Sequence, residues 1–301
     1  MNRFLYSIVY CWMYLHALLP LPVLYLWADI LYVPVYHLIG YRKKIVRRNL
    51  QNAFPDKTEK ERLVIEKAFY HNLCDYWVET MVLLRISDKE IRQRMEFVNM
   101  EPVNEVMRQG HSVLMYLGHF GNWEWVPSIT LWTNSDVTAA QIYRPLKNTV
   151  FDRLFLTLRK RFGSVGIAKD DTLRAIVRMK RENKKMIIGF MSDQTPSPRN
   201  IHYWSTFLNQ ETAVLTGAER IAKQAGFYVF YLDITRLKRG RYKAEPVLIS
   251  ANAKETDEFE ITEKYIRLME KTIARNPAYW LWSHNRWKYR VGSNGEIERK
   301  E

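Results

Sequence analysis

The sequence predicts an α/β fold with a mixed, mostly parallel central sheet flanked by helices, preceded by an N-terminal hydrophobic membrane-anchoring helical segment. The sheet is predicted because short apolar runs alternate with charged stretches of helical length. The anchor is predicted because the N-terminal residues are almost free of charge. With 47% hydrophobic and 14% aromatic residues, the chain can bury a large core, which excludes disordered and fibrous classes of protein.

The anchor is assigned to residues 1–41. Residues 4–28 carry no charged side chain, and a second uncharged run covers residues 30–41. That is enough for a membrane-spanning helix, which needs about 20 apolar residues, but Pro20 and Pro22 would kink or end a helix there. A re-entrant or interfacial anchor therefore stays open, as does an ordinary buried helical hairpin.

Basic residues follow the anchor, and this pattern favours the cytoplasmic side of a membrane. They are Arg42, Lys43, Lys44, Arg47 and Arg48. The whole chain has 46 basic and 32 acidic residues, a net charge of +14, which indicates an anionic partner such as a nucleic acid, a membrane surface or an acidic protein. The cysteines, Cys11 and Cys74, indicate neither a disulfide framework nor a cysteine-based zinc site.

Residues 42–301 are predicted to form one domain, helical at first and then alternating between strands and helices. Predicted strands cover residues 112–117, 137–143, 186–191, 227–236 and 241–250, and predicted helices cover 151–162, 171–183, 212–224 and 257–275. Active sites of open α/β sheets gather at the carboxyl ends of strands. We therefore expect the chemistry in the loops after Leu117, Tyr143 and Met191.

The strongest chemical signal is the run Gly-His-Phe-Gly-Asn-Trp-Glu at residues 118–124. His119 directly follows a predicted buried strand, and Glu124 falls in the first turn of a helix that Asn122 would cap. A carboxylate bonded to one imidazole nitrogen fixes the tautomer and makes the other nitrogen a better general base. This pair would suit deprotonation of an incoming hydroxyl. A metal site would need a third ligand, and the other histidines show no metal-binding spacing.

The run at 118–124 resembles the H-x4-[DE] signature of the lysophospholipid acyltransferase superfamily. More closely, the chain is similar to the lipid A biosynthesis (lauroyl/myristoyl) acyltransferase family of Gram-negative bacteria. Further stretches agree with that family in order and spacing: Val-Arg-Arg-Asn-Leu-Gln-Asn-Ala-Phe-Pro at 46–55, Tyr-Arg-Pro-Leu-Lys-Asn at 143–148, Ser-Asp-Gln at 192–194 and Trp-Ser-His-Asn-Arg-Trp-Lys at 282–288.

The resemblance implies transfer of a fatty acyl group from an acyl carrier protein thioester to a hydroxyl of a lipid A precursor. It makes His119 the general base and Glu124 its orienting partner, with no cofactor besides the acyl donor. It also makes 42–301 an acyltransferase domain on the cytoplasmic face of a bacterial inner membrane. Two alternatives stay open: the same transfer onto another glycolipid, phospholipid or aminolipid, and a non-catalytic membrane scaffold.

Several matched residues are predicted to bind substrate. Arg144 would grip a phosphate or the developing oxyanion, although a structural salt bridge is nearly as well supported. Lys147 would assist with phosphate or, like Asn148, belong to a helix cap. Asp193 and Gln194 are used near the site in the family, and Asp193 would orient Arg144 or hold a loop. Asn122 completes the predicted substrate-binding set, whereas His284 is expected to be structural.

The basic stretch at 153–185 would dock an acidic acyl carrier protein by complementary charge, or form a solvated face near anionic lipid. A nucleic-acid partner is not expected because no nucleic-acid-binding motif accompanies these residues. Residues 195–208 depart from the glycine-rich, Phe-rich segment common in the family. That departure leaves the acyl-chain length and the acceptor hydroxyl open.

Overall fold

A computed structural model describes residues 2–292 and 295–299. Its α-helices are α1 (Asn2–Ala17), α2 (Leu21–Tyr32), α3 (Lys43–Ala53), α4 (Glu59–Val82), α5 (Asp88–Arg94), α6 (Glu101–Arg108), α7 (Thr149–Arg159), α8 (Thr172–Arg181), α9 (Gly217–Ala225) and α10 (Glu260–Arg275). A π-helix, Val33–Leu38, continues α2, and a 3₁₀ helix covers Trp123–Leu131.

The strands are β1 (Met95–Phe97), β2 (Val113–Leu117), β3 (Val137–Tyr143), β4 (Val165–Ala168), β5 (Lys185–Met191), β6 (Trp204–Phe207), β7 (Gln210–Ala213), β8 (Tyr228–Lys238), β9 (Arg241–Ser250), β10 (Tyr289–Val291) and β11 (Ile297–Arg299). Within the described residues, seven strands form the central sheet in the order β1-β9-β8-β2-β5-β3-β4. The pairing of β8 with β9 is antiparallel and the other pairings in this sheet are parallel. The predicted mixed, mostly parallel sheet flanked by helices is confirmed.

The middle of the sheet is the most apolar part of the molecule. Every residue of β2 is buried, and β2 lies between β8 and β5. Buried strands with both faces covered are typical of parallel sheets, and their long apolar runs explain why the sequence located them well. The consequence for the site is that the carboxyl ends of β2 and β5 are neighbours, with Leu117 beside Met191.

The predicted helix at 212–224 is partly wrong. A hairpin of β6 and β7 occupies its first residues, and α9 begins only at Gly217. The hairpin turns at Leu208 and Asn209, which both have positive φ, and β-branched residues at 212 and 214 favour an extended backbone. The predicted helix after Asn122 is a 3₁₀ helix, and it carries Pro127, which has no N–H to donate.

The N-terminal helices pack directly on the rest of the molecule. α2 contacts α4, and α1 contacts both α4 and α7. Met13, Leu21 and Leu24 belong to the same hydrophobic core as the sheet. The described residues contain one helical stretch that is long and apolar enough to cross a membrane by length and composition, Leu21–Leu38, with 28% of its residues buried.

Candidate active site

His119 lies at the carboxyl end of β2 and faces Asp193, which follows β5. Its ring Nδ1 is 2.7 Å from Oδ1 of Asp193, and its backbone N–H donates to Oδ2 of the same carboxylate at 2.9 Å. The parallel pairing of β2 with β5 brings the two residues together although they are 74 positions apart. Asp193 therefore holds both the ring and the main chain of His119.

The Asp193 carboxylate is buried and saturated with donors. The indole N–H of Trp280 donates to Oδ2 at 2.8 Å. Burial alone would raise the pKa of this carboxyl, but its electrostatic attraction to His119 and the hydrogen bonds from His119 and the Trp280 indole outweigh burial and lower the pKa to about 2. Because an ionised carboxylate only accepts hydrogen bonds, Nδ1 of His119 carries the proton and Nε2 is the basic nitrogen.

Gln194 covers that basic nitrogen. Its side-chain Nε2 lies 3.1 Å from Nε2 of His119. An amide nitrogen donates, so this contact places an N–H on the imidazole lone pair. The Trp123 ring packs edge-on against the imidazole, with ring centroids 5.1 Å apart. Gln194 and Trp123 thus both contact the imidazole, and the Gln194 amide occupies the position next to Nε2.

Gly118 allows this close approach. A Cβ built at Gly118 would clash with the side chain of Met269 and lie 3.3 Å from Oδ2 of Asp193. Gly121 has φ +60°, a backbone conformation that favours glycine. The two glycines therefore let the strand end and turn sharply around His119.

The expectation that Glu124 orients His119 is corrected by the structure, in which Glu124 pairs with Arg159 instead. Arg159 donates to both carboxylate oxygens of Glu124, at 2.8 Å and 2.7 Å, and the Tyr76 hydroxyl approaches the carboxylate at 3.4 Å. The turn at Gly121 carries Glu124 inward, where its side chain is 2% exposed and faces α7 rather than the imidazole. The carboxylate that orients His119 in this structure is Asp193.

Asn122 is also placed differently from the prediction. Its side chain is fully buried and donates to Oε2 of Glu79 at 2.8 Å, and it does not cap the following helix. Glu79 receives a further hydrogen bond from Tyr242, and burial raises the pKa of Glu79. Asn122 therefore fastens the motif to α4 and is not positioned to contact a substrate.

The segment after β3 carries the predicted phosphate-binding residues on the surface. Arg144 and Lys147 are exposed. Asn148 caps α7 by accepting the backbone N–H groups of Val150 and Phe151, which confirms the capping interpretation. Asp193 does not orient Arg144, because its oxygens are bonded to His119 and Trp280.

His284 has a structural contact next to Gln194. Its Nε2 accepts the backbone N–H of Thr195 at 3.2 Å. Burial, together with nearby cationic groups, lowers the pKa of His284 to about 4. His284 is therefore neutral at pH 7 and holds the chain segment that positions the amide over His119.

A large apolar cavity is lined by the two side chains that contact the imidazole, Trp123 and Gln194. Its volume is about 860 Å³. Arg42 also lines the cavity and donates to the carbonyl of Ser283. Apolar side chains from α1, α2, α4 and α7 form the walls, including Trp12, Leu31, Trp77 and Phe155. This volume and apolar lining suit hydrocarbon chains.

Sequence reasoning missed Arg159 and Trp280 as parts of the site. Arg159 was one of many basic residues in its stretch, and nothing local sets it apart. Trp280 belongs to a cluster of tryptophans near the C-terminus. Among the residues that the structure describes, no three His, Cys, Asp or Glu side chains form a group that could hold a metal ion.

The chain is similar to known proteins along almost its whole length. The sequence profile described as bacterial lipid A biosynthesis acyltransferase matches residues 1–289. Lipid A biosynthesis lauroyltransferase of Escherichia coli (strain K12) is 25% identical over 278 residues, 90% of this chain and 87% of that protein. Lipid A biosynthesis palmitoleoyltransferase of the same organism is 23% identical over 284 residues, 90% of each chain. A lipid A biosynthesis acyltransferase of Haemophilus influenzae is 26% identical over 258 residues, 83% of this chain and 78% of that protein. An imidazole held by a buried carboxylate, with neighbours that line an apolar cavity, is thus the candidate site of a chain that belongs to the bacterial lipid A biosynthesis acyltransferase family.

Proposed function

We propose that this enzyme transfers a fatty acyl chain from an acyl carrier protein thioester to a hydroxyl of a lipid A precursor, with His119 as general base. The observation that carries the proposal is the imidazole whose Nδ1 is bonded to Asp193 and whose Nε2 contacts Gln194, a side chain that lines the apolar cavity. A base with a fixed tautomer suits removal of a proton from a hydroxyl once the hydroxyl takes the place of the amide.

In the proposed reaction the acceptor hydroxyl replaces the Gln194 amide at Nε2 of His119. The proton moves to Nε2 while the oxygen attacks the thioester carbonyl, so the ester C–O bond forms. The tetrahedral intermediate then breaks its C–S bond, and the imidazolium returns the proton to the leaving thiolate. Asp193 stays ionised and stabilises the imidazolium, which is the charge that develops during the first step.

In this proposal Glu124 is a positioning residue and does not orient His119 directly. With Arg159 it forms an ion pair beside Tyr76 and Trp123, whose rings stack at 4.3 Å. Since Trp123 also packs on the imidazole, the ion pair of Glu124 and Arg159 is proposed to hold Trp123 in position against His119. Arg144 and Lys147, both exposed beside α7, are proposed to contact the phosphates of the acceptor.

The acyl carrier protein is proposed as the donor because the stretch 153–185 is rich in basic residues and acyl carrier proteins are acidic. The active domain is proposed to lie on the cytoplasmic face of the inner membrane, where acyl carrier protein is available.

The test is mass spectrometry of lipid A and total polar lipids from cells with the gene deleted, restored, or restored as His119→Ala. His111→Ala is a matched control, because His111 is exposed and precedes β2 at its opposite end. Loss of the general base is expected to slow transfer by about 10²–10⁴-fold. One acyl chain should be missing from lipid A in the deletion and in His119→Ala, and present in His111→Ala.

Other results have distinct meanings. An unchanged lipid A with an acyl group missing from another glycolipid, phospholipid or aminolipid would replace the acceptor in the proposal. Full complementation by His119→Ala would overturn the catalytic proposal in favour of a scaffold.

A further inference from the structure

The outward faces of α1 and α2 form an unusually apolar surface. Leu15 and Leu26 are 63% and 64% exposed, and Leu38 is 78% exposed. Further exposed apolar side chains on these helices, the turn between them and the π-helix are Phe4, Leu5, Ile8, Trp12, Tyr14, Leu18, Val23, Trp27, Ile30, Leu31 and Val33. Such an exposed area needs a partner in solution.

The apolar surface continues onto the rest of the molecule. Trp77 of α4, Leu146 before α7 and Phe151 of α7 are 44%, 46% and 41% exposed. Trp77 and Phe151 line the same cavity as Trp12 of α1. We call this surface the bilayer face; it comprises the exposed apolar side chains of α1 and α2 together with Trp77, Leu146 and Phe151. The cavity lined by Gln194 also has Trp12, Trp77 and Phe151 of this face in its lining.

Polar contacts fasten the anchor helices to the domain along their whole length. At the turn between α1 and α2, Arg85 donates to the carbonyl of Ala17. In the middle of α2, Tyr25 donates to Glu79 at 2.9 Å. Near the end of the π-helix, Tyr36 donates to Glu66 at 3.0 Å. The helices therefore cannot leave the domain without breaking these hydrogen bonds, of which the bond from Tyr36 to Glu66 is buried.

An ion-pair network lies midway along the apolar stretch. Asp29 accepts from Arg239 at 2.7 Å and 3.0 Å, and Arg239 also pairs with the buried Asp75. If Leu21–Leu38 crossed a bilayer, this network would lie at its centre, where charged groups are costly to bury. The network is compatible with a helix that lies flat, with its apolar side in lipid and its polar side on the domain.

Positive charge borders the bilayer face. Arg42 and Lys44 are exposed directly after the π-helix, and Arg144 and Lys147 are exposed beside Leu146. Lysine and arginine next to an apolar surface attract anionic lipid headgroups. The charge and the apolar surface together fit an anionic bilayer.

We propose that the chain binds an anionic bilayer through the bilayer face, with α1 and α2 lying in one leaflet without crossing it and with Leu146 as a further insertion point. The cavity then opens directly into the lipid, so an acceptor reaches His119 without leaving the membrane. This rests on the proposed function for its lipid acceptor, but its test measures membrane binding and depth, independently of acyl transfer.

The experiment uses the full chain with Cys11→Ser, single labelling cysteines and the fluorophore NBD. Cys74 stays unlabelled, because it is buried and burial raises the pKa of its thiol to about 12. Leu26→Cys, Leu146→Cys and Leu173→Cys are added to preformed vesicles of phosphatidylethanolamine and phosphatidylglycerol containing doxyl-labelled lipids. Leu173 is the control, 52% exposed on α8, which right-handed crossovers place on the opposite side of the sheet from α7.

NBD at 26 and 146 should be quenched by doxyl groups near the headgroups, whereas NBD at 173 should not. A fourth label at Leu18→Cys, in the turn between α1 and α2, tests crossing. NBD there should be reduced within minutes by dithionite added outside the vesicles, because a flat hairpin stays on the side of entry. Protection of the NBD label at position 18 from dithionite would overturn the flat arrangement. Equal doxyl quenching of the labels at 146 and 173 would show that the bilayer face does not extend beyond α1 and α2.

Leu146→Glu gives an independent measure of affinity. It should weaken vesicle binding at least about ten-fold, since it removes an inserted apolar group and adds a charge that anionic lipid repels. Leu173→Glu should leave binding unchanged. Equal binding by the two variants would contradict the proposal, whatever the acyltransferase assay shows.

Discussion

His119 donates its Nδ1–H to Oδ1 of Asp193 over 2.7 Å, and the same carboxylate accepts the backbone N–H of His119 through its other oxygen. The imidazole is therefore fixed in position, orientation and tautomer by one buried group. Two neighbouring strands supply the pair, so the geometry depends on the pairing of β2 with β5. A catalytic base placed on the sheet in this way is held more rigidly than one placed on a loop.

Replacing Asp193 with Asn should slow acyl transfer by at least about 10²-fold, with folding retained. An amide has one acceptor oxygen, whereas the carboxylate uses both oxygens to accept from His119, and it cannot stabilise an imidazolium by charge. Single-turnover rates with an acyl carrier protein donor measure the effect. Asp136→Asn is the control, because Asp136 is an exposed aspartate that pairs with Lys185. Equal rates for the two variants would remove Asp193 from the mechanism.

Replacing Gln194 with Ala should uncover the basic nitrogen of His119. The amide at 3.1 Å blocks Nε2 in the ligand-free enzyme, so the variant should react several-fold faster with diethylpyrocarbonate at this histidine. Peptide mass spectrometry follows modification at each histidine separately. The exposed His111 serves as internal reference. An unchanged rate at His119 would mean that the amide does not shield it.

The sheet could be predicted from the sequence because its strands are continuous apolar runs. β3 was expected at 137–143 and β9 at 241–250, and the structure has Val137–Tyr143 and Arg241–Ser250. β1 could not be found in this way, because it is three residues long with the exposed Glu96 at its centre. Its extended shape follows from parallel pairing with β9, a contact that local sequence does not encode.

The sequence predicts the parts of the site that depend on residues adjacent along the chain. His119 at the end of β2 follows from the apolar run and the flanking glycines. Its partner does not, because the choice between Glu124 and Asp193 depends on the φ of +60° at Gly121 and on β5 being the neighbour of β2. Strand order and backbone dihedrals are set by the whole fold, so proximity in sequence indicated the wrong carboxylate.

Stability should fall as the pH is lowered from 6.5 toward 4 because His284 is half-buried and neutral. Its pKa is about 4 in the folded chain and 6.5 when unperturbed, so between these values the unfolded chain binds a proton that the folded chain does not. The full stabilisation is present above pH 6.5, and about 2 kcal/mol of it should be lost at pH 5. Urea unfolding in mild detergent at pH 7 and pH 5 measures the loss. His284→Gln, which can still accept from Thr195, should lose about 2 kcal/mol less between these two pH values. The same loss in both proteins would assign the pH dependence to other groups.

Variants of the ion pair between Glu124 and Arg159 can show whether Glu124 positions a wall of the site or orients His119 directly. The Glu124 side chain is 2% exposed and that of Arg159 18%, so removing either partner leaves a poorly solvated charge and should cost about 3 kcal/mol of stability. Glu124→Ala and Arg159→Leu should each be destabilised and slow, and the double variant should be more stable than the two single losses predict by addition. Urea unfolding and acyl-transfer rates of the four proteins complete the cycle.

If Glu124 oriented the imidazole directly, Glu124→Gln would lose activity to the same extent whether or not Arg159 was present. Since Arg159 donates to both oxygens of Glu124, we expect the effect of Glu124→Gln to shrink in the Arg159→Leu background.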